Sequence, residues 1–192
     1  MSNIGICGAG LIGASWAVGF ASAGYNVLVY DKNPNVIKNF YKVVEQLAYD
    51  IAIYKKINLK KLKSQIMICR SIEEICTESI LIQESILEII EEKQNIFLEL
   101  ENYSPLETIL SSSSSYLLPS KISKKLRNKD RCIVAHPALP PHVVPFVEIC
   151  PSSLTSKEVI ERAKEIYSKA DYVPIVLKKE IEGFVLNRLQ GA

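Results

Sequence analysis

Two groups of residues in this chain have the types and spacing to do chemistry. In the first, Gly8-Ala9-Gly10-Leu11-Ile12-Gly13 follows the apolar run Ile4–Cys7 and leads into the alanine-rich stretch Ala14–Ala23. A second apolar run, Val27–Tyr30, ends on Asp31. Strand, G-x-G-x-x-G, helix, strand and acid, in that order, form the fingerprint of a unit that cradles a dinucleotide. Gly8 permits the tight turn out of the strand, Gly10 lets the backbone approach a pyrophosphate, and Gly13 lets the helix pack closely on the sheet. The helix N-terminus offers N–H groups and a partial positive charge to the phosphates. Asp31 can accept hydrogen bonds from an adenosine ribose and would repel a 2′-phosphate, which selects NAD over NADP.

The second group lies past the middle of the chain. His136 follows the apolar run Cys132–Ala135, at the carboxyl end of what reads as a strand. Open α/β sheets bind ligands at those ends. Glu148 sits inside the apolar segment Pro145–Cys150, where a carboxylate is costly unless it is paired. A neighbouring imidazole would answer that cost and gain a defined tautomer, giving a proton-accepting dyad. A purely structural pair in the core is the other reading of the same two residues. His142, between prolines, reads as a solvent-exposed or rim residue.

Elements to position these groups follow from the pattern of the chain. Strands are predicted at 4–7, 27–30, 66–69, 79–83, from 109, at 132–135, 146–150 and 172–177. Helices are predicted at 14–23, from 35 to about 61 with a break near Asn58, at 88–100, 119–126, 157–169 and 181–190. Ser71 with Glu74 forms a capping box and Ser156 caps the helix that follows it. Pro137, Pro140, Pro141 and Pro145 are expected to hold their loop extended. The alternation implies an α/β fold of the Rossmann type, a doubly wound, mostly parallel sheet with helices on both faces.

Composition narrows the function classes. The chain has 192 residues, 48% of them hydrophobic and 23% charged, with a net charge of +2. Such a balance gives no general argument for nucleic-acid or membrane partners, and the basic cluster Lys55-Lys56…Lys60-Lys61-Lys63 reads as a solvated face. No apolar run is long enough to span a bilayer, and no signal peptide is evident at the N-terminus. Five cysteines without a C-x-x-C pair argue for buried free thiols, no metal site and a reducing, cytoplasmic setting.

Taken together, four segments resemble the 3-hydroxyacyl-CoA dehydrogenase family, in the branch that contains lambda-crystallin and L-gulonate 3-dehydrogenase. They are Gly8–Ala17, the serine run Ser111–Ser115 continued to Ser120, Ala135–Pro141 with Val147-Glu148-Ile149, and Gly183–Gln190. The resemblance covers essentially the whole chain. It implies that His136 is the general base, that Glu148 orients it, and that Asn187 and Ser115 hold the reacting oxygen, with Ser113 and Ser114 as alternatives to Ser115. It places Leu11 and Ile12 beside the pyrophosphate, and Glu88 and Lys93 near the cofactor. The implied activity is NAD-dependent oxidation of a 3-hydroxy acid or 3-hydroxyacyl-CoA, a place in fatty acid metabolism included. A catalytically idle, crystallin-like NAD(H)-binding protein is the alternative.

Two departures from the family pattern stand out. Leu139 occupies a position that is usually Asn. The chain also ends at Ala192, inside the first helix of what the family carries as an all-helical second domain. Residues 1–178 are therefore expected to be the NAD-binding domain and 179–192 the start of a truncated second one. A homodimer is expected only where that second domain is present, and the fragment should bind the dinucleotide more readily than it turns over substrate.

Overall fold

The computed structural model describes residues 2–190, and of Gln190 the backbone alone. The chain runs β1 (Asn3–Cys7), α1 (Leu11–Ser22), β2 (Asn26–Tyr30), α2 (Pro34–Ala52), α3 (Leu59–Ser64), β3 (Ile66–Ile68), α4 (Ile72–Thr77), β4 (Ser79–Glu84), α5 (Ile90–Tyr103) and β5 (Ile109–Ser112). It continues through α6 (Pro119–Ile122), β6 (Cys132–Pro137), β7 (Phe146–Pro151), α7 (Lys157–Lys169), β8 (Val173–Val176) and α8 (Leu186–Gln190). The strands form one sheet in the order β3-β2-β1-β4-β5-β6-β7-β8. Its first six strands are parallel; β7 runs antiparallel to β6, and β8 parallel to β7. Strand order reverses between β1 and β4, so the carboxyl ends of those strands open a crevice of the kind that binds nucleotides.

Each face of the sheet buries its own core. On one, Ile4, Ile6 and Val29 pack with Trp16 and Phe20 of α1, Phe40 and Val44 of α2, and Tyr167 of α7. On the other, Ile75, Ile82, Phe97, Leu100, Leu110 and Val134 pack together. The central strands therefore read as nearly continuous apolar runs, as strands covered on both sides should.

The break expected near Asn58 is present: α2 ends at Ala52, and Asn58 accepts a hydrogen bond from Lys61 N to cap α3. Three expected elements differ from those observed. α5 begins at Ile90 rather than Glu88, whose carboxylate is drawn to partners described below. The proline loop folds back, with Val143 N and Val144 N both donating to Pro140 O, instead of lying extended. The expected helix 181–190 is helical only from Leu186, after a turn in which Gly183 and Phe184 take φ of +73° and +50°. Residues 191 and 192, the end of the expected second-domain segment 179–192, lie outside the described residues.

All five cysteines are unpaired and buried. Burial pushes the Cys69 thiol up to about 11, and those of Cys76, Cys132 and Cys150 up to about 12. Cys7 is raised as well, by burial first and then by Glu84. Thiols need to ionise to react, so iodoacetamide at about pH 8 should label none of the five until the protein unfolds. Mass spectrometry after a short native pulse checks this; a rapidly alkylated cysteine would contradict it.

Candidate active site

The glycine loop shows its purpose in what a side chain would meet. A Cβ at Gly13 would lie 1.8 Å from the Gly8 carbonyl oxygen, so the first turn of α1 packs directly on the loop. Gly8 has φ of +100° and is backed by the Ser85 carbonyl, 2.7 Å from where its Cβ would be. A Cβ at Gly10 would meet nothing within 4 Å. No protein contact explains that glycine, whereas a pyrophosphate lying over the backbone does. α1 starts there with no side-chain cap and no acid in its first turn, which leaves its first N–H groups for an anion. Leu11 is exposed at this end.

Asp31 ties the loop to the end of β2. It accepts from Ala9 N and from Asn33 N, each at 2.8 Å. Gly8, Gly10, Tyr30 and Asp31 border a cavity of about 500 Å³. Ile12 faces a second one, of about 270 Å³, with Ser115, His136 and Leu139. The chain thus gathers the acid, the glycines and the start of α1 at one cavity.

At the other end, the antiparallel register sets His136 opposite Glu148 across β6 and β7. His136 Nδ1 is 2.9 Å from Glu148 Oε2. Glu148 is 1% exposed, and its second oxygen accepts from Val185 N and Leu186 N, both at 3.0 Å. The segment before α8 is thereby docked onto the sheet. Phe184 is fully buried by this docking, its ring 5.3 Å from that of His136. Val185 and Leu189 remain exposed.

The serine run is held from two sides. Asn187 Nδ2 donates to Ser115 O at 2.8 Å, and Ser115 N donates to Glu88 Oε1 at 3.0 Å. Ser114 Oγ donates to the same carboxylate and accepts from Leu117 N, so its side chain is spent on the turn. Ser115 Oγ makes no hydrogen bond among the described residues, which favours it over its neighbours for a ligand. Asn187 reaches the serine loop rather than the cavity wall.

Glu88 and Lys93 belong to a buried ion cluster that sequence reasoning missed. Lys93 Nζ lies 2.7 Å from Glu84 and 3.1 Å from Glu88. Glu84 also accepts from Ser112 Oγ and Ile86 N, both at 2.6 Å. Burial raises the Glu84 carboxyl, against the lowering pull of Lys93 and these hydrogen bonds. An acid at the end of the apolar strand 79–84 was the available signal, the same one that singles out Glu148. His142 is likewise not a rim residue. Its side chain is 3% exposed, its Nδ1 is 2.7 Å from Ser15 Oγ, and its Nε2 is 3.2 Å from Asp50. It pins the proline loop to α1 and α2. Leu139, at 66% exposure, stands on the outer rim of the His136 cavity.

This assembly matches a known family. The profile described as 3-hydroxyacyl-CoA dehydrogenase, NAD binding domain, covers residues 3–181. The chain belongs to that family. It is 38% identical over 191 residues to lambda-crystallin of Oryctolagus cuniculus, matching 97% of this chain and 60% of the relative. It is 32% identical to the L-carnitine dehydrogenase of Oceanobacillus iheyensis, matching all of this chain and 62% of that protein. Among solved structures, 3-hydroxybutyryl-CoA dehydrogenase from Escherichia coli superposes with a TM-score of 0.89 at 22% identity, over 98% of this chain and 40% of that one. The chain spans about three-fifths of the length of these curated relatives. The family is one of NAD-binding domains, and the fit at Gly10 and Asp31 agrees with that cofactor.

The ion cluster yields a prediction for this dehydrogenase-family domain. Lys93→Met leaves the Glu84 carboxylate buried without its cation, which should destabilise the fold by about 3–5 kcal/mol near neutral pH. Losing the cation raises the Glu84 pKa further in the folded state than in the unfolded chain. The folded form then holds the proton more tightly, so the deficit should shrink as pH falls through the raised value. Urea unfolding of both proteins at about pH 8 and about pH 5.5 checks this. A deficit that is the same at both would show that Lys93 acts through packing alone.

Proposed function

We propose that this chain is the cofactor-binding and proton-accepting part of an NAD-dependent dehydrogenase. The reaction is oxidation of the secondary alcohol of a 3-hydroxy acid or 3-hydroxyacyl-CoA to the 3-oxo compound. One observation carries the reading: His136, held by Glu148, borders a cavity that shares Ser85 and Ile86 with the cavity at the glycine loop and Asp31. NAD, when bound, supplies a ring that accepts a hydride.

The chain's own residues do the rest. His136 Nδ1 is engaged by Glu148, so Nε2 is the atom left to take the hydroxyl proton. Glu148 stabilises the imidazolium that results and is itself held by two backbone N–H groups. Ser115 Oγ holds the reacting oxygen, and Asn187 fixes the loop that presents it. Glu88 and Lys93 brace that loop from the cofactor side. A relative that is an L-carnitine dehydrogenase supports a free 3-hydroxy acid as readily as a CoA thioester. Leu139, where the family pattern has Asn, makes one side of the entrance apolar.

Residues 1–178 form the NAD-binding unit of this reading and 179–190 lead into the remainder. We assign the homodimer to a form carrying the further length that the relatives have. Five buried thiols suit a reducing compartment such as the cytoplasm. No helix among the described residues is long and apolar enough to cross a membrane.

Two measurements test the reading. The chain should bind NADH at least about tenfold more tightly than NADPH, or about 1.4 kcal/mol, since a 2′-phosphate would face the Asp31 carboxylate. Equal affinities in a fluorescence titration would sink that role for Asp31. With a panel of 3-hydroxy acids and 3-hydroxyacyl-CoA esters, His136→Gln should lower turnover by about 10²–10⁴-fold while NADH affinity stays within about twofold. Glu148→Gln should also lower turnover. Normal turnover in a stably folded His136→Gln protein would end the mechanism.

A further inference from the structure

Ser85 and Ile86 are the two residues that border both cavities, so a dinucleotide laid from Asp31 to His136 crosses them. Behind Ser85 runs a chain of hydrogen bonds that the dyad does not use. Ser113 Oγ lies 3.0 Å from Trp16 Nε1, 2.7 Å from Gln83 Nε2 and 2.8 Å from Ser85 Oγ. Trp16, Gln83 and Tyr167 are all fully buried.

The direction of each bond follows from the groups themselves. An indole N–H can only donate. Gln83 Oε1 accepts from Tyr167 Oη, so its amide nitrogen faces Ser113 and donates. A hydroxyl has one proton and two lone pairs. Both lone pairs of Ser113 Oγ are taken, by Trp16 and Gln83, and its proton must therefore go to Ser85. Tyr167, having given its proton to Gln83, accepts from Ser111 Oγ at 3.0 Å. The chain is one-way: Ser111 to Tyr167 to Gln83 to Ser113 to Ser85. Ser85 ends it as an acceptor whose own proton has no partner among the described residues, in a half-buried position on the cavity wall.

We propose that Ser85 is a positioning residue for the cofactor, donating to the carboxamide oxygen of the nicotinamide and so fixing the rotation of that ring beside His136. The inference rests on the NAD-dependent reading above. Other polar groups on the His136 cavity have their work assigned. Lys93 is held between Glu84 and Glu88, Glu88 accepts from the Ser114–Ser115 turn, Ser113 is saturated, Ser115 holds the reacting oxygen, and His136 Nε2 accepts a proton. Ser85 is the donor that remains, and the carboxamide oxygen is the acceptor that the nicotinamide ring carries.

A ligand-side substitution separates this from a merely structural role. NADH and its thionicotinamide analogue differ at one atom, sulfur replacing the carboxamide oxygen, and sulfur is the weaker acceptor. Both are titrated against the chain and against Ser85→Ala, following the fluorescence of Trp16, the chain's single tryptophan. Ser85→Ala should bind NADH about five- to tenfold more weakly. Its affinity for the thio analogue should change by less than about twofold, as a double-mutant cycle across one contact requires. Ser85→Cys, which keeps the volume and loses the strong donor, should behave as Ala does, and serves if the alanine variant does not fold. Unchanged NADH binding, or equal losses for the two cofactors, would overturn the carboxamide contact while leaving NAD binding intact. A wild-type chain that binds neither cofactor would overturn the NAD-dependent reading and this inference with it.

Discussion

A carboxylate buried in a sheet needs donors, and the way Glu148 finds them organises the reactive end of this molecule. One oxygen takes the His136 ring, which is available because β7 runs antiparallel to β6 and sets the two residues opposite each other. Its other oxygen takes two backbone N–H groups just where α8 begins. That second contact reaches across 37 and 38 residues of chain. It draws 183–187 onto the sheet, buries Phe184 against the imidazole and brings Asn187 within reach of the serine loop. Leaving such a carboxylate unsatisfied would cost several kcal/mol. The docking of the last segment is thus tied to the same group that holds the His136 imidazole.

The opposite wall repeats the device with a different cation. Glu84 ends β4 fully buried, and Lys93 reaches back from the first turn of α5 to neutralise it. Two carboxylates then share one ammonium, and the second, Glu88, spends its remaining capacity on Ser114 and on the backbone of Ser115. Between these two anchored walls lies the Ser115 hydroxyl, which has no hydrogen-bond partner among the described residues. Preorganisation of this sort places the orienting groups before any ligand arrives, so that little reorganisation is left for the reaction itself.

How far the sequence disclosed this depended on whether the signal was local. The glycine loop was legible because three glycines and an acid each answer a backbone or charge requirement within one βαβ unit. His136 and Glu148 were legible as polar residues inside apolar runs, which is a statement about burial and needs no partner to be known. What stayed hidden was decided at long range. Lys93 sits in Glu91-Glu92-Lys93 and looks like any exposed helix start, because its burial depends on Glu84 in the preceding strand. His142 looks like a loop residue, because Ser15 and Asp50 meet it from two helices far earlier in the chain. Five consecutive serines carry no information about which one faces the cavity. Only the turn geometry, with Ser113 and Ser114 committed to other partners, distinguishes Ser115. The turn at Gly183 and Phe184 was hidden for the same reason, since the helical pattern of 181–190 is real but Glu148 claims its first N–H groups.

The two cavities make a physical point about where the elements of specificity sit. In the proposed reading, recognition of the nucleotide end is carried by backbone and by one acid, Asp31, whose two oxygens are already bound to Ala9 N and Asn33 N. That acid is a clamp on the glycine loop and, in the proposed reading, also the reader of the ribose, so replacing it would loosen the loop as well as alter cofactor choice. Recognition at the reacting end is carried instead by side chains whose partners come from four different strands and two helices. Backbone recognition depends little on the surrounding sequence, so a short motif can hold it. Side-chain recognition depends on distant partners, which is why the neighbourhood of His136, with Leu139 at its rim, is where this chain can differ from its relatives without disturbing the nucleotide end.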